Sequence, residues 1–200
     1  MPTDIITMAL SEPPDFLQGV NLPLVHSASE LIRIADAKYP NPIHWSKLGY
    51  NRFDSPEAPM GIFYTGEDVE TAVIEVFGDD WLATRTLELA ELDQFEVYTI
   101  QLEQIFRVVD LTGENLNKLG TDANICTSTD FDTTQKWAIA FMKHYQKPNG
   151  LRYHSRHNPE KINYTLFGTA ESKLSVTKKL PLLEHPSLYQ ILDKYGVAAI

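Results

Sequence analysis

Four short stretches carry side chains that could act together on one small molecule. They are Asn51-Arg52-Phe53-Asp54, Phe63-Tyr64-Thr65-Gly66, the run Glu70-Thr71-Ala72-Val73-Ile74-Glu75-Val76, and Tyr153-His154-Ser155-Arg156. Arg52 offers a rigid, permanently charged fork that matches phosphate oxygens. The Tyr64 ring can pack against a flat cation, because aromatic faces attract positive charge. Glu75 can stabilise positive charge that grows as a bond breaks. At about 4 Å and an effective dielectric near 20, that attraction is about 4 kcal/mol, roughly a thousandfold in rate. Ser155 supplies a hydroxyl that both donates and accepts. Together they suit the binding and cleavage of a diphosphate compound with a cationic leaving group.

Each residue also has an ordinary structural reading. Arg52 can pair with Asp54 or Glu57 at the surface. Tyr64 in an apolar strand can belong to the core, its hydroxyl reaching one partner. Glu75 lies off the apolar stripe of its helix, where a carboxylate is normally solvated, and Ser155 at a strand end can cap backbone groups. Two further arginines rank below Arg52. Arg33 can touch phosphate or pair with Glu30 or Asp36, and Arg156 follows Ser155 and can help hold an anion.

The elements that must position these groups are legible from period and punctuation. Residues 1–24, with Pro2, Pro13, Pro14 and Pro23, read as an irregular arm over the surface, and residues 25–200 as one domain. Ser27 and Glu30 form a capping-box pattern that predicts a helix before Pro40. Asn51-Arg52-Phe53 is expected in a short strand or at a strand end. Gly61 to Thr65 predicts a strand. From Glu67 to Phe77 the period becomes helical, with acidic residues in the first turn and Gly78 as the expected stop. Strands are expected over Phe95–Leu102, Phe106–Leu111, Leu151–Ser155, Asn163–Phe167 and Leu174–Thr177. Helices are expected from Asp132, with a stripe of Trp137, Phe141, His144 and Tyr145, and from Pro186. Strands and helices mix without regular alternation, which predicts an α+β domain with small mixed or antiparallel sheets and flanking helices.

Composition narrows the function classes. The 200 residues suffice for one domain with a sizeable core. A net charge of −10 opposes a nucleic-acid groove, although Arg152, Arg156, His157 and Lys161 form a local basic cluster. Cys126 is the one cysteine, which excludes an intrachain disulfide and a Cys-rich zinc site. The N-terminus lacks a basic, then apolar, leader pattern, and no apolar run reaches membrane-span length. A cytoplasmic protein with no membrane partner is the expectation. His144, His154 and His157 lack partners at zinc spacing, so no metal is expected. No Gly-x-Ser-x-Gly elbow surrounds Ser155. Gly-x-Gly-x-x-Gly and Gly-x4-Gly-Lys are also missing.

The ordered set resembles the RES domain, a family named for its Arg, Glu and Ser. The resemblance runs through Ile32-Arg33-Ile34, Arg52-Phe53, Phe63-Tyr64, the Thr71-Ala72-x-x-Glu75 helix and the late Ser155. It implies a fold similar to ADP-ribosyltransferases and an activity that consumes NAD as substrate, with no retained cofactor. Arg52, Tyr64, Glu75 and Ser155 would then be catalytic, with Arg33 and Arg156 joining Arg52, Tyr64 and Ser155 in binding. Water or phosphate as acceptor would make the chain an NAD glycohydrolase or phosphorylase, as in bacterial toxins of toxin–antitoxin pairs. An ADP-ribosyltransferase acting on a protein and a non-catalytic interaction domain are the alternatives. The resemblance further implies a DNA-binding antitoxin as a separate chain. A homodimer stays open, since no apolar pattern singles out an interface.

Overall fold

The central strands are buried on both faces, and the helices lie in two groups on one of them. In the computed structural model, residues 9–168 and 173–200 are described. In chain order the elements begin with β1 (Leu24–His26), β2 (Glu30–Asp36), β3 (Ile62–Gly66), α1 (Val69–Thr84), β4 (Thr86–Leu87), α2 (Leu89–Leu92), β5 (Phe95–Leu102) and β6 (Arg107–Leu111). They continue with α3 (Asn115–Leu119), α4 (Asn124–Thr127), α5 (Phe131–Lys143), β7 (Gly150–His154), β8 (Ile162–Phe167), β9 (Leu174–Pro181), α6 (Leu188–Lys194) and β10 (Ala198–Ala199). The class is α+β. Eight strands form one sheet in the order β1-β6-β7-β8-β3-β2-β5-β9, larger than the small sheets expected. Its neighbours are antiparallel except β6 and β7. The short strands β4 and β10 pair in parallel apart from it.

Three apolar clusters hold the sheet. On one face, Trp137 and Phe141 of α5 pack over Val109, Leu151, Ile62 and Phe167. On the same face, Val73, Phe77 and Trp81 of α1 pack with Ile32, Ile34 and Val97, joined by Leu188 and Leu192 of α6. The opposite face carries Leu31, Phe63, Ile100 and Leu166, with Ile43, Trp45 and Phe106 packed there. Because α1 and α5 cover different parts of one face, a gap lies between them. β8 is buried at all six positions, as a central strand must be when both faces are covered. At the β9 edge, exposed Lys178 and Lys179 discourage pairing with further strands.

Several expectations are corrected. No helix starts at Ser27. Residues 30–36 form β2, paired with β5 in unbroken register from Glu30↔Gln101 to Asp36↔Phe95. The β-branched Ile32 and Ile34 suit that strand, and the Ser27 hydroxyl accepts from the Phe106 backbone N–H instead of capping a helix. The helix expected to stop at Gly78 runs on to Thr84, because Trp81 is also buried. Its start is local, with Asp68 accepting from the Thr71 backbone N–H at 2.7 Å. Helix α5 begins at Phe131 under an Asp130 cap, and His144 ends it in extended conformation, so His144 and Tyr145 lie beyond the helix. His144 is fully buried and its Nδ1 accepts from the Gln146 backbone N–H, but its Nε2 has no partner among the described residues.

The described part of the expected arm is bound into the domain rather than only laid over it. Leu10, Leu17 and Leu22 are buried in the cluster beneath α5, and Trp137 donates to the Ser11 carbonyl. Residues 1–8 lie outside the described part. Among the described residues, no helix is long and apolar enough to cross a membrane.

Candidate active site

The gap between α1 and α5 opens as a cavity of about 830 Å³, within the roughly 300–1,000 Å³ of small-ligand sites. Its wall is continuous with a seam in the sheet. β2 and β3 meet through one paired position, Ile32↔Gly66, and then diverge. Arg33 bridges the seam, donating from Nη1 to the Tyr64 carbonyl at 2.8 Å and lying 5.2 Å from the Phe63 ring centre. Burial lowers its pKa from the ordinary arginine value, yet a guanidinium keeps its charge throughout the physiological range.

Arg33, Arg52, Tyr64, Glu75 and Arg156 all line this cavity. Ser155 does not. It is 2% exposed, and its hydroxyl accepts from the backbone N–H groups of His157 at 3.1 Å and Asn158 at 3.4 Å. The expected ribose contact is therefore not what its geometry supports, because both bonds serve the loop that carries Arg156.

The Arg52 stretch is a loop of bends rather than a strand. The physical reason is Asp54, which is fully buried and accepts from the backbone N–H groups of Gly49 and Asn51, from Ser46 Oγ and from the Tyr64 hydroxyl. Such local bonds to backbone compete with strand pairing. From the other side, Gln135 of α5 donates to the Gly49 and Asn51 carbonyls, and Thr134 donates to the Arg52 carbonyl. Asp54 is thus an anchor of the loop and makes no ion pair with Arg52 in the described structure. Arg52 donates to the Ser128 carbonyl and lies 5.5 Å from the Phe131 ring centre. Of its five N–H donors, the remaining ones are available to a ligand. Burial lowers its pKa from the ordinary value, opposed by the tyrosine, thiol and carboxylate of Tyr153, Cys126 and Glu75.

Tyr64 joins the loop to the sheet. Its hydroxyl accepts from the Phe53 backbone N–H at 3.0 Å and donates to Asp54 at 3.2 Å. Burial, then the Asp54 charge, push its pKa well above the ordinary phenol value. The phenol is therefore no proton source near neutrality, and what Tyr64 offers the cavity is its ring.

Glu75 is exposed on α1, on a cavity-facing strip with Ala72, Val76 and Asp79. It makes no hydrogen bond or ion pair among the described residues. Asp79 one turn later is paired with Arg156. Within the same helix, a Cβ on Gly78 would lie 2.7 Å from His157 Nδ1, so this glycine makes room for the 155–158 loop. Glycine in a helix interior costs about 1 kcal/mol relative to alanine, which the close approach explains. Burial lowers the His157 pKa, opposed first by Glu75.

Sequence reasoning assigned no role to Tyr153 or Asn163, which form part of the cavity floor, or to Asp54 as loop anchor. Only Asp54 had a signal, as an acid two residues beyond Arg52 that reads as its surface ion-pair partner. The expected basic cluster is largely neutralised: Arg152 pairs with Asp110, Arg156 with Asp79, and Lys161 with Asp68 and Glu70. Among the described residues, no group of three or more His, Cys, Asp and Glu could hold a metal ion.

A family profile described as the RES domain matches residues 30–185. The chain belongs to the RES domain family. A relative from Sinorhizobium fredii (strain NBRC 101917 / NGR234), named "Probable toxin y4kH", is 27% identical over 113 residues, covering 56% of this chain and 88% of the relative. The fold of this RES protein is similar to a chain in the crystal structure of the M. tuberculosis MbcT–MbcA toxin–antitoxin complex. That match has a TM-score of 0.61 at 16% identity and covers 86% of this chain and 92% of the other. At that identity the likeness concerns fold alone.

Proposed function

We propose that this RES protein is the toxin of a toxin–antitoxin pair and that it breaks the nicotinamide–ribose bond of NAD. One observation carries the reading. Three guanidinium groups, an aromatic ring and a carboxylate free of partners among the described residues meet in one cavity, assembled from two loops, two strands and a helix.

The nicotinamide of NAD is a cationic leaving group, so it departs with the bonding electron pair as a neutral base and needs no general acid. The protein must fix the diphosphate, orient the pyridinium ring and stabilise an oxocarbenium-like ribose. Arg52 holds the diphosphate, with Arg156 beside it at the mouth. The Tyr64 ring packs on the pyridinium. Glu75 stabilises the positive charge as it moves onto the ribose, after which water, losing a proton to solvent, or an unprotonated oxygen of inorganic phosphate forms the new bond at the anomeric carbon. Arg33 closes the seam behind Tyr64 and adds positive potential. Ser155 acts as a positioning residue for the Arg156 loop.

An antitoxin made as a separate chain is the proposed partner, in line with the toxin–antitoxin complex that shares the fold. The exposed Leu48 and Tyr50 at the cavity give such a partner apolar surface to cover. The cytoplasm, where NAD is plentiful, is the proposed place of action.

Incubating the purified protein with NAD, with and without phosphate, and separating free nicotinamide by chromatography tests the reaction. Release that depends strongly on phosphate marks a phosphorylase, and release without it marks a glycohydrolase. No release in either condition would refute the NAD-cleaving reading with small acceptors.

A further inference from the structure

A buried amide on the cavity floor lacks a partner. Asn163 on β8 is 2% exposed, and its Nδ2 donates to no acceptor among the described residues. Buried polar groups nearly always find partners, so an exception inside a ligand-sized cavity calls for a cause. Arg33 Nε is the other unpartnered donor on the lining, but that guanidinium already serves the Tyr64 carbonyl and the Phe63 ring.

The register places Asn163 at the centre of the floor. It is paired with Tyr153 on β7 and with Gly66 on β3, and Gly66 is paired with Ile32 on β2. Residues directly opposite one another on neighbouring strands share a face. Tyr153, Asn163, Gly66 and Ile32 therefore form one row across four strands, and all four line the cavity. Tyr64, two positions before Gly66, stands in the next row on the same face. Gly66 brings no side chain toward the amide. A Cβ there would lie 2.8 Å from the Ala72 nitrogen, so the glycine is also what lets α1 sit this close.

Charge divides along the depth of the cavity. Glu75, Asp79 and Arg156 are exposed at the mouth, while Thr65, Gly66, Tyr153 and Asn163 are buried and uncharged. A phosphate is best held at the mouth by guanidinium groups. A flat, uncharged ring substituent suits the floor beside the Tyr64 ring.

We propose that Asn163 recognises the leaving base, its Nδ2 donating to the carboxamide oxygen of nicotinamide. The assignment rests on reading the cavity as an NAD site. The contact exists before and during bond breaking, so it acts mainly on binding rather than on the chemical step.

Initial rates of nicotinamide release by wild type and Asn163→Leu, over a range of NAD concentrations, test it alongside thermal melting. The same two proteins are compared on an NAD analogue whose pyridinium ring bears no carbonyl, by release of its base. The expected result is a KM for NAD raised roughly 10- to 100-fold with kcat within a few-fold, and no such penalty on the analogue. Melting temperature should not fall, because the lost donor had no partner in the free protein. If Asn163→Leu does not fold, Asn163→Asp keeps the shape, replaces the donor with an acceptor, and permits the same comparison. An unchanged KM, an equal penalty on both substrates, or a melting loss that accounts for the activity loss would overturn the role of Asn163 alone. A wild-type protein inert toward NAD would overturn the reading of the cavity, and the nicotinamide assignment with it.

Discussion

On one wall of the cavity, Arg52 rides a loop in which Asp54, Tyr64, Thr134 and Gln135 all bind the backbone of residues 49–53. On the other wall, Glu75 stands on the cavity-facing strip of α1 with no hydrogen bond or ion pair in the described structure. The first wall holds a charge in place, whereas the second leaves a charge free. An anion-binding group gains from preorganisation, since every rotamer fixed before binding is one less to fix afterwards. A carboxylate that must answer charge developing on a substrate gains from having no competing cation, which would already have satisfied it.

The largest test of this contrast removes the free charge. Glu75→Gln keeps the size and polarity of the side chain and should lower turnover by about 10² to 10⁴, or roughly 3–5 kcal/mol in the barrier. Stability should hardly change, because no hydrogen bond or ion pair among the described residues is lost and the side chain is exposed. Single-turnover kinetics together with denaturant unfolding separate the two. Unchanged turnover would take Glu75 out of the mechanism and leave the second wall without a purpose.

The same operation on the first wall should have the reverse signature. Asp54→Ala strips four donors of their buried acceptor and should cost about 2–4 kcal/mol of folding stability, read from the denaturation midpoint. Activity should fall through a raised KM, as the loop loses the geometry that aims Arg52. A variant as stable as wild type would mean that Thr134 and Gln135 suffice to hold the loop.

What the sequence could say about these walls follows from how local each device is. The helical period of α1 is local, so that helix and the place of Glu75 on it were legible, although Glu67 and Asp68 read as its first turn whereas Asp68 is the cap before Val69. β5 spans Phe95–Leu102 as its alternation predicts. The Ser27–Glu30 pattern is local too, but a full ladder with the distant β5, from Glu30↔Gln101 to Asp36↔Phe95, overrides it. Gly78 read as a stop because glycine usually ends helices, while its actual service is to His157 on a distant loop. The Arg52 loop depends on α5, and Asn163 depends on what β3 and β7 place beside it. Neither leaves a spacing signature. Ser155 was legible as a position but not as a role, since its partners are backbone groups that only the turn after β7 supplies.

A smaller effect separates charge from shape on the first wall. Arg52→Lys preserves the charge and gives up the planar fork, so KM for NAD should rise roughly 10- to 100-fold with a lesser change in kcat. The loss should be partly masked in variants that already lack Arg156, if the two share the diphosphate. Additive losses would mean that each arginine serves a different part of the ligand.

The smallest expected effect concerns Ser155, where the two walls meet the loop that carries Arg156. Its hydroxyl accepts two backbone N–H groups, so Ser155→Ala leaves both without that acceptor and should cost about 1 kcal/mol of stability. The 155–158 loop also packs against Gly78, which should hold Arg156 near its place and keep the fall in turnover under tenfold. Replacing Ser155 by threonine keeps the acceptor and should recover most of the stability if the buried site admits the extra methyl. A fall in kcat of more than 100-fold for the alanine variant, with melting unchanged, would return Ser155 to direct contact with substrate. Glu75 would then have a companion on its side of the cavity, and the contrast between a positioned wall and a free one would have to be redrawn around both residues.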